Sequence, residues 1–307
     1  MTGRAAMIDG ILSPLDRAMV SVLDRGFLYG DSVFETVRTY GGRPFALERH
    51  LVRLERSAEL VHIRLPVPRE VLEHEVLEAV RTTGNAESYV RVMVTRGAGE
   101  LGLDPSASLR PMRLVIVTPL TPPSPEVYEH GISVVTYRAR RAADATPAAG
   151  AKVGNYLVAV LAVERAHASG AAEAFIVDSE DRVVEGATSN VFFVRRGALV
   201  TPPEDSGILP GITRGIVLDV AKDLGIAVEL RAPELAELGD FEEMFVSSSI
   251  RELLAVIRVD GSVVGAGGPG VVYTRLLAAF RERAREIQRL EDTPSGPFTP
   301  TQPPPSS

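Results

Sequence analysis

A cluster of prolines near the middle of the chain limits its folding more than any other feature. The stretch "TPLTPPSPEVYEHG", Thr118 to Gly131, contains four prolines. Each removes a backbone donor and fixes φ, so neither a central strand nor a long helix runs through it. The chain is therefore expected to fold as two units. An N-terminal α+β domain takes residues 1–118, a linker 119–130 and a C-terminal domain 131–291. With 307 residues in all, each unit is long enough to bury a core of its own. Beyond it, residues 292–307 are rich in Pro, Ser and Thr and are expected to be a disordered, dispensable tail.

Periodicity fills in the two units. "FETVRTYGGRPFAL" has β-rich flanks around Gly41-Gly42, which predicts a hairpin. "LERHLVRLERSAELV" sets Leu47, Leu51, Leu54, Ala58 and Val61 at steps of three and four, the spacing of an amphipathic helix. A second helix, "PREVLEHEVLEAVRTTG", closes at Gly84. The β-branched runs "SYVRVMVTRG" and "MRLVIVTPL" are expected to pair as strands. The second unit opens with the strand "ISVVTYRARR", a loop and the helix "GNYLVAVLAVERAHASG". "AEAFIVDSEDRVVEGATSNVFFVRRGALVTPP" reads as three β-runs, broken at Ser179 to Asp181 and at Gly197. The helix "GITRGIVLDVAKDLG" with its glycine cap, the strand "IAVEL", a strand-rich "EMFVSSSIRELLAVIRVDGSVVG" turning at Asp260-Gly261, and the helix "YTRLLAAFRERAREIQRL" complete it. The class is mixed, α+β or α/β, in two domains.

Composition excludes several functions. A net charge of −7 with no basic stripe argues against nucleic acid as a partner. The chain has no cysteine, hence no disulfide, thiolate metal site or cysteine nucleophile. Its five histidines are scattered without metal-ligand spacing, so no metal is expected. No signal peptide and no membrane-spanning run is recognisable, and a soluble cytoplasmic protein is the expectation.

One residue type is oddly rare. Of 33 basic residues only Lys152 and Lys222 are lysines. Lys222, in "DVAKDLG", reads as a solvated helix residue. Lys152, in "AAGAKVGNYL", sits among glycines and apolar residues. Lysine alone carries a primary amine that can lose its proton and attack a carbonyl, whereas guanidinium stays charged. A Schiff-base lysine fits that position, and so, taken alone, does a chance loop lysine. Pyridoxal phosphate is the commonest carbonyl partner, and it sets three further demands: a phosphate cradle, a group facing its ring nitrogen, and a seat for the substrate carboxylate. In "GILPGITRG" a turn runs into a helix whose opening amides, at Ile212 and Thr213, suit an anion. Glu185 in "VVEGATSN" offers a carboxylate for the ring nitrogen, with Asn190 as a supporting hydrogen-bonder. Strand alternation sets Tyr89 and Arg91 on one face, a pair suited to a carboxylate. An exposed turn glutamate and a charged edge strand would look the same.

Together these pieces resemble the fold-type IV pyridoxal-phosphate enzymes: branched-chain and D-amino-acid aminotransferases and aminodeoxychorismate lyase. The likeness runs through "LDRGFLYGDSVFETVR", "HLVRLERSAE", "AKVGNYL", "VVEGATSNVFFV", "GILPGITR" and "MFVSSSIREL", in the family's order. It implies an active site between two domains and a homodimer. It further implies that Lys152 carries the cofactor and moves the proton, and that Glu185 partners the pyridine nitrogen. Arg53, Ile212, Thr213 and Ser249 would hold the phosphate, Leu209 would pack on the ring face, and Tyr29 and Phe34 would be substrate-pocket residues, offered across a dimer interface.

Within the family the markers conflict. Tyr89-Val90-Arg91 resembles the branched-chain carboxylate site. Tyr156, four residues after Lys152, has the shorter spacing of the D-amino-acid and lyase branches. "SSSIREL" departs from the Gly-Thr-Ala run of branched-chain enzymes at the amides around Ile250, and Thr36 stands where the lyases also carry threonine. The expectation is an aminotransferase passing the amino group of a small, aliphatic, branched-chain-like amino acid to a 2-oxo acid through a Lys152 Schiff base. The alternatives are aminodeoxychorismate lyase, forming 4-aminobenzoate, and D-amino-acid aminotransferase.

Overall fold

Alternation along Ser88–Thr95 decides how the first half packs. Val90, Val92 and Val94 are fully buried, while Tyr89, Arg91 and Met93 are partly open. A period of two gives each set its own face of the sheet. The computed structural model describes residues 3–108, 110–139 and 148–291. Six strands form an antiparallel sheet: β1 (Ala5–Ile8), β2 (Ile11–Pro14), β3 (Ser32–Tyr40), β4 (Arg43–Pro44), β5 (Ser88–Thr95) and β6 (Met112–Pro119), in the order β2-β1-β6-β5-β3-β4. Helices α2 (Leu47–Leu60) and α3 (Arg69–Thr83) cover the valine face, and the short α1 (Arg25–Tyr29) precedes β3. Leu47, Leu51, Leu54 and Ala58 of α2 share one core with Val33, Val37, Val90 and Val92. The other face stays free of helices from this half. Register places Phe34 opposite Met93, Thr36 opposite Arg91 and Arg38 opposite Tyr89 on it.

The second half builds a mixed sheet of nine strands: β7 (Ile132–Arg138), β8 (Glu173–Val177), β9 (Val183–Gly186), β10 (Asn190–Arg195), β11 (Ala198–Thr201), β12 (Val228–Leu230), β13 (Glu243–Ser248), β14 (Glu252–Val259) and β15 (Ser262–Val263). Their order is β12-β11-β10-β13-β14-β7-β8-β9, with β15 paired to β14. Among the described residues, four α-helices belong to this half: α4 (Pro125–His130), α5 (Leu157–Ala168), α6 (Ile212–Asp223) and α7 (Val271–Glu291). Phe192 and Phe245 stack with centroids 4.8 Å apart in the core shared with α6 and α7, while Phe175 and Phe193 fill the opposite face. Phe45, just after β4, crosses into that α6–α7 core and meets Phe280 edge-on. No helix among the described residues is long and apolar enough to cross a membrane.

Two segments depart from the sequence reading. The middle β-run of "RVVEGATSNVFFV" is two strands, β9 and β10, split at Ala187–Ser189. The buried Glu173 carboxylate draws the Thr188 and Ser189 hydroxyls out of the run, at 2.8 and 3.1 Å. In the proline cluster, Pro119 closes β6 and Pro125–His130 folds as α4, with Pro125 in the first turn where its missing donor costs nothing. The Pro/Ser-rich tail, and most of the loop expected after β7, lie outside the described residues.

The segment bearing Lys152 lies along β3 as an added edge. Val33 and Val153 form an antiparallel bridge. The Phe34 amide donates to the Lys152 carbonyl at 3.0 Å and the Gly154 amide to the Ser32 carbonyl at 2.8 Å. A Cβ on residue 154 would run into Ser32 Oγ, which is buried without a hydrogen-bond partner. Gly154→Ala is therefore expected to cost about 2 kcal/mol through overpacking. Adding Ser32→Ala should recover most of that loss in urea unfolding. A single variant as stable as the wild type would show that contact with β3 does not fix this segment.

Candidate active site

The helix-free face of the first sheet, the Lys152 segment and the loops at one end of the second sheet enclose a cavity of about 450 Å³. Along β3 and β5, Phe34, Thr36, Tyr89 and Arg91 line one wall. The Arg91 guanidinium lies 3.7 Å above the Phe34 ring centroid. Among the described residues it has no carboxylate partner. Tyr89 Oη and Thr36 Oγ1 are 3.5 Å apart, at the limit of a hydrogen bond. An unpaired cation with two hydroxyls beside it suits a carboxylate.

Lys152 projects from the edge strand into the cavity. Its Nζ donates to Tyr156 Oη at 2.8 Å and lies 4.6 Å from the Phe34 ring centroid. Phe34 and Tyr156 meet edge-on at 5.1 Å, so the amine is walled by aromatic rings. Behind it, the Lys152 amide donates to Ser57 Oγ of α2 at 3.1 Å. Backbone contacts thus hold both sides of the residue, which lines the cavity and stays partly exposed.

Within the apolar core face, α2 also turns a polar stripe inward: His50, Arg53 and Ser57, at spacings of three and four. The stripe meets Glu35, which is wholly buried on the inner face of β3. Arg53 grips Glu35 in two-pronged fashion, Nε at 2.7 Å and Nη2 at 2.6 Å, and His50 Nδ1 lies 2.7 Å from the same carboxylate. Burial acts to raise the Glu35 carboxyl, but the Arg53 charge and the Arg53 and His50 hydrogen bonds outweigh it and hold it near 2. Burial pulls the His50 imidazole below its ordinary value, and the bond to Glu35 only partly offsets this. A neutral His50 facing an acceptor-only carboxylate donates from Nδ1. Arg53 Nη1 remains and donates to the Pro210 carbonyl at 2.8 Å, just ahead of α6.

The α6 end supplies another wall. Gly211 precedes the helix, and no side chain caps its first turn. A Cβ there would collide with Asn190 Oδ1, so glycine is required for the close approach. Asn190 Nδ2 donates to the Leu209 carbonyl at 2.9 Å, and the Leu209 amide donates to Glu185 at 3.2 Å. Across from these, Ser249–Arg251 turns from β13 into β14. Ser247 Oγ is buried in the cavity wall without a partner. Arg38 of β3 donates to the Ile250 carbonyl at 3.2 Å and fixes the turn from below.

Of the residues singled out in the sequence, Phe34, Arg53, Tyr89, Arg91, Lys152, Glu185, Asn190, Leu209, Ile212, Thr213, Ser249 and Ile250 all line this cavity. Tyr29 does not. Its hydroxyl accepts from the Gly102 amide at 3.1 Å, and its ring lies under Arg25 on an open surface. The sequence reading missed Arg251 and Thr188, which line the cavity, and Glu35 and His50 behind it. The only signal for Glu35 was an acidic residue on the valine face of β3, alternating with Val33 and Val37. Arg251 gave none.

Comparison with known proteins bears on this constellation. The family model for class IV amino-transferases matches residues 32–259. A putative branched-chain-amino-acid aminotransferase of Methanocaldococcus jannaschii is 38% identical over 265 residues, covering 86% of this chain and 91% of that protein. The D-alanine aminotransferase of Bacillus licheniformis is 30% identical over 275 residues, covering 90% and 95%. The crystal structure of the Escherichia coli branched-chain amino acid aminotransferase superimposes with a TM-score of 0.86 at 31% identity, covering 91% of this chain and 93% of that one. The chain belongs to the class IV aminotransferases. The fold-type IV architecture and the aminotransferase class expected from the sequence both hold.

The buried triad makes the fold acid-sensitive in a definite direction. Glu35 ordinarily titrates at 4.5 and sits near 2 when folded. Its contribution is therefore complete above about pH 4.5 and is lost as pH falls toward 2. His50, held below its ordinary 6.5, takes its proton first in the unfolded chain, so it also removes stability as pH drops below that value. Urea unfolding across this range is expected to lose on the order of 3 kcal/mol to Glu35 alone. Glu35→Gln should cost about 3 kcal/mol at neutral pH and flatten the slope below pH 4.5. An unchanged slope in that variant would remove Glu35 from the account.

Proposed function

We propose that the cavity holds pyridoxal 5'-phosphate on Lys152 and that the enzyme passes the amino group of a small, aliphatic, branched-chain-like amino acid to a 2-oxo acid. One observation carries this reading: an amine and a guanidinium without a carboxylate partner, Lys152 and Arg91, open into the same cavity. The residues present fit the cofactor. The uncapped first turn of α6, the partnerless Ser247 Oγ and the glycine at 211 leave donors and room for a phosphate. Arg53, the Ile212 and Thr213 amides and Ser249 would hold that phosphate. Glu185 would face the ring nitrogen, Asn190 would support the loop beside it, and Leu209 would pack on the ring. Relatives named branched-chain aminotransferases support the choice of donor.

When bound, the cofactor supplies a sink for the electron pair left as the substrate Cα–H bond breaks. The chain's own groups do the rest. Lys152 Nζ takes the proton from Cα, held in place by Tyr156 Oη. Arg91, Tyr89 and the turn at Ile250 seat carboxylate. The aromatic wall of Phe34 and Tyr156 keeps water from the amine and receives an aliphatic side chain. The reading carries with it a soluble, cytoplasmic enzyme whose partners are the amino acid and the 2-oxo acid.

We also read the enzyme as a homodimer. Met19, Val22, Phe27, Leu101, Leu103 and Leu157 are large apolar side chains more than 60% exposed. They belong to one face: Asp24 bridges Ala98, Tyr29 accepts from Gly102, and Gly30 lies against Asn155. A contiguous apolar face of this kind marks an interface, and it would offer Tyr29 to a second copy. Sedimentation is expected to give a dimer, and Phe27→Asp with Leu103→Asp a monomer. A wild-type monomer at micromolar concentration would end this reading.

The catalytic reading is tested by titrating cofactor-loaded protein with L-leucine, D-alanine and L-glutamate while following the cofactor absorbance. L-Leucine is expected to convert the long-wavelength band to the amine form. Lys152→Ala should abolish that conversion, whereas Lys222→Ala, altering an exposed residue of α6, should not. Equal conversion by both variants would sink the role of Lys152. If no donor changes the band, transamination fails, and pyruvate release from aminodeoxychorismate becomes the assay to run.

A further inference from the structure

Glu252 begins β14, directly after the Ser249–Arg251 turn, and lies behind the cavity wall rather than in it. It adopts φ of 57° and is 7% exposed. Glycine would take that backbone conformation freely, so the glutamate side chain has to offset both the strain and the burial of its own charge. Groups from both halves of the chain do this. Tyr40 Oη, at the end of β3, donates to Oε1 at 2.8 Å, and Arg281 Nε of α7 donates to Oε2 at 2.8 Å. Arg38 Nη1 lies 3.6 Å from Oε1. The same groups secure the turn. Arg38 Nη1 donates to the Ile250 carbonyl at 3.2 Å. Tyr128 Oη of α4 donates to the Arg251 carbonyl at 3.2 Å, and its ring lies 4.6 Å from the Arg281 guanidinium. Two successive carbonyls are thus drawn to groups outside the cavity wall, although Ile250 and Arg251 themselves line it. Carbonyl dipoles held away from the cavity leave that side of the turn free of partial negative charge that would repel a carboxylate.

We infer that Glu252 is a positioning residue: by gathering Tyr40, Arg38, Arg281 and, through Arg281, Tyr128, it fixes from behind the turn against which a substrate carboxylate is seated. This rests on the reading that the turn at Ile250 seats carboxylate, and deepens it by assigning the group that holds the turn in place. The clamp draws on β3 of the first half and on α4 and α7 of the second, so the seat takes its shape only where the two halves are docked. A seat held in this way acts on the bound carboxylate alike before and during the reaction. Loosening it therefore weakens binding more than it slows the chemical step.

The test measures valerate binding to cofactor-loaded protein by calorimetry, beside KM and kcat with L-leucine as donor and 3-methyl-2-oxobutanoate as acceptor. Glu252→Gly is expected to raise the Kd of valerate and both KM values about fivefold, with kcat within about twofold of the wild type. Tyr40→Phe, which removes one donor and no charge, should move them the same way by less. Glu252→Gln, which can still accept from Tyr40, should recover part of the loss. A merely structural role would instead lower the folded fraction, reducing kcat at unchanged KM. Glycine takes φ of 57° without strain, so Glu252→Gly should melt above Glu252→Ala yet bind valerate no more tightly. If Glu252→Gly fails to fold, Tyr40→Phe carries the comparison. Wild-type valerate affinity in these variants, or a fall in kcat alone, overturns the proposal, and so does a wild type that does not bind valerate. If no donor converts the cofactor while valerate affinity still depends on Glu252, the aminotransferase reading falls and the positioning role stands.

Discussion

The Glu35–Arg53 ion pair is the contact on which the rest of the site depends. A carboxylate with no exposed surface on the inner face of β3 is costly unless its charge is matched and its oxygens filled. Arg53 meets both needs with two parallel bonds, and His50 takes a further lone pair. Lysine in place of Arg53 would supply the charge but not the fork. With two of its nitrogens committed to Glu35, the third is fixed in direction and donates one of its two hydrogens to the Pro210 carbonyl. The approach to α6 is thereby tied to α2 of the other half. The cavity wall at the helix terminus is set by the fold itself.

A second tie makes β3 the shared element of the molecule. Its valine face packs on α2 and α3, its opposite face lines the cavity, and its edge receives the Lys152 segment. A third link runs through Glu252, which adopts φ of 57° at the start of β14. Tyr40 donates to it at 2.8 Å, Arg281 of α7 at 2.8 Å, and Arg38 lies 3.6 Å away. Strain at a non-glycine residue persists only where its surroundings over-determine it. Here those surroundings come from both halves, and they sit directly beneath the Ser249–Arg251 turn. Burial of Tyr40, with the Glu252 charge adding to it, keeps its phenol protonated and donating.

What the sequence made legible follows from which interactions are local. The valine alternation of β5, the three-and-four spacing of α2 and the glycine stop after α3 each concern neighbours along the chain, and each predicts the element found. Lys152 stood out because of chemistry, an amine in a chain that otherwise uses arginine. Glu185, Asn190 and Thr213 could be singled out by matching a motif. Pairings between distant segments were not legible: Glu173 with Arg251, 78 residues apart, or Arg53 with Pro210, 157 apart. The split between β9 and β10 was missed for the same reason, since Glu173 draws Thr188 out of an otherwise unbroken β pattern. Tyr29 shows the converse. Its motif marks it for a pocket, but the fold turns it onto an open surface beside Arg25, a placement no local pattern records.

The distribution of basic residues follows from these constraints. Arg25 and Arg96 share Asp31, Arg113 grips Glu75 through two nitrogens, and Arg251 spans Glu173 and Thr188. Each of these holds two segments together with a rigid multi-pronged donor, work a single ammonium does less well. Arg91 is the exception within the cavity, since among the described residues its guanidinium lies over the Phe34 ring and meets no carboxylate. Lys152 is the exception of the other kind. It donates to one tyrosine and holds no ion pair among the described residues, and its backbone rather than its side chain is what the fold secures. Where a cation must hold structure the chain uses guanidinium. Lys152 instead sits on a strand edge that fixes its backbone and leaves its amine facing the cavity.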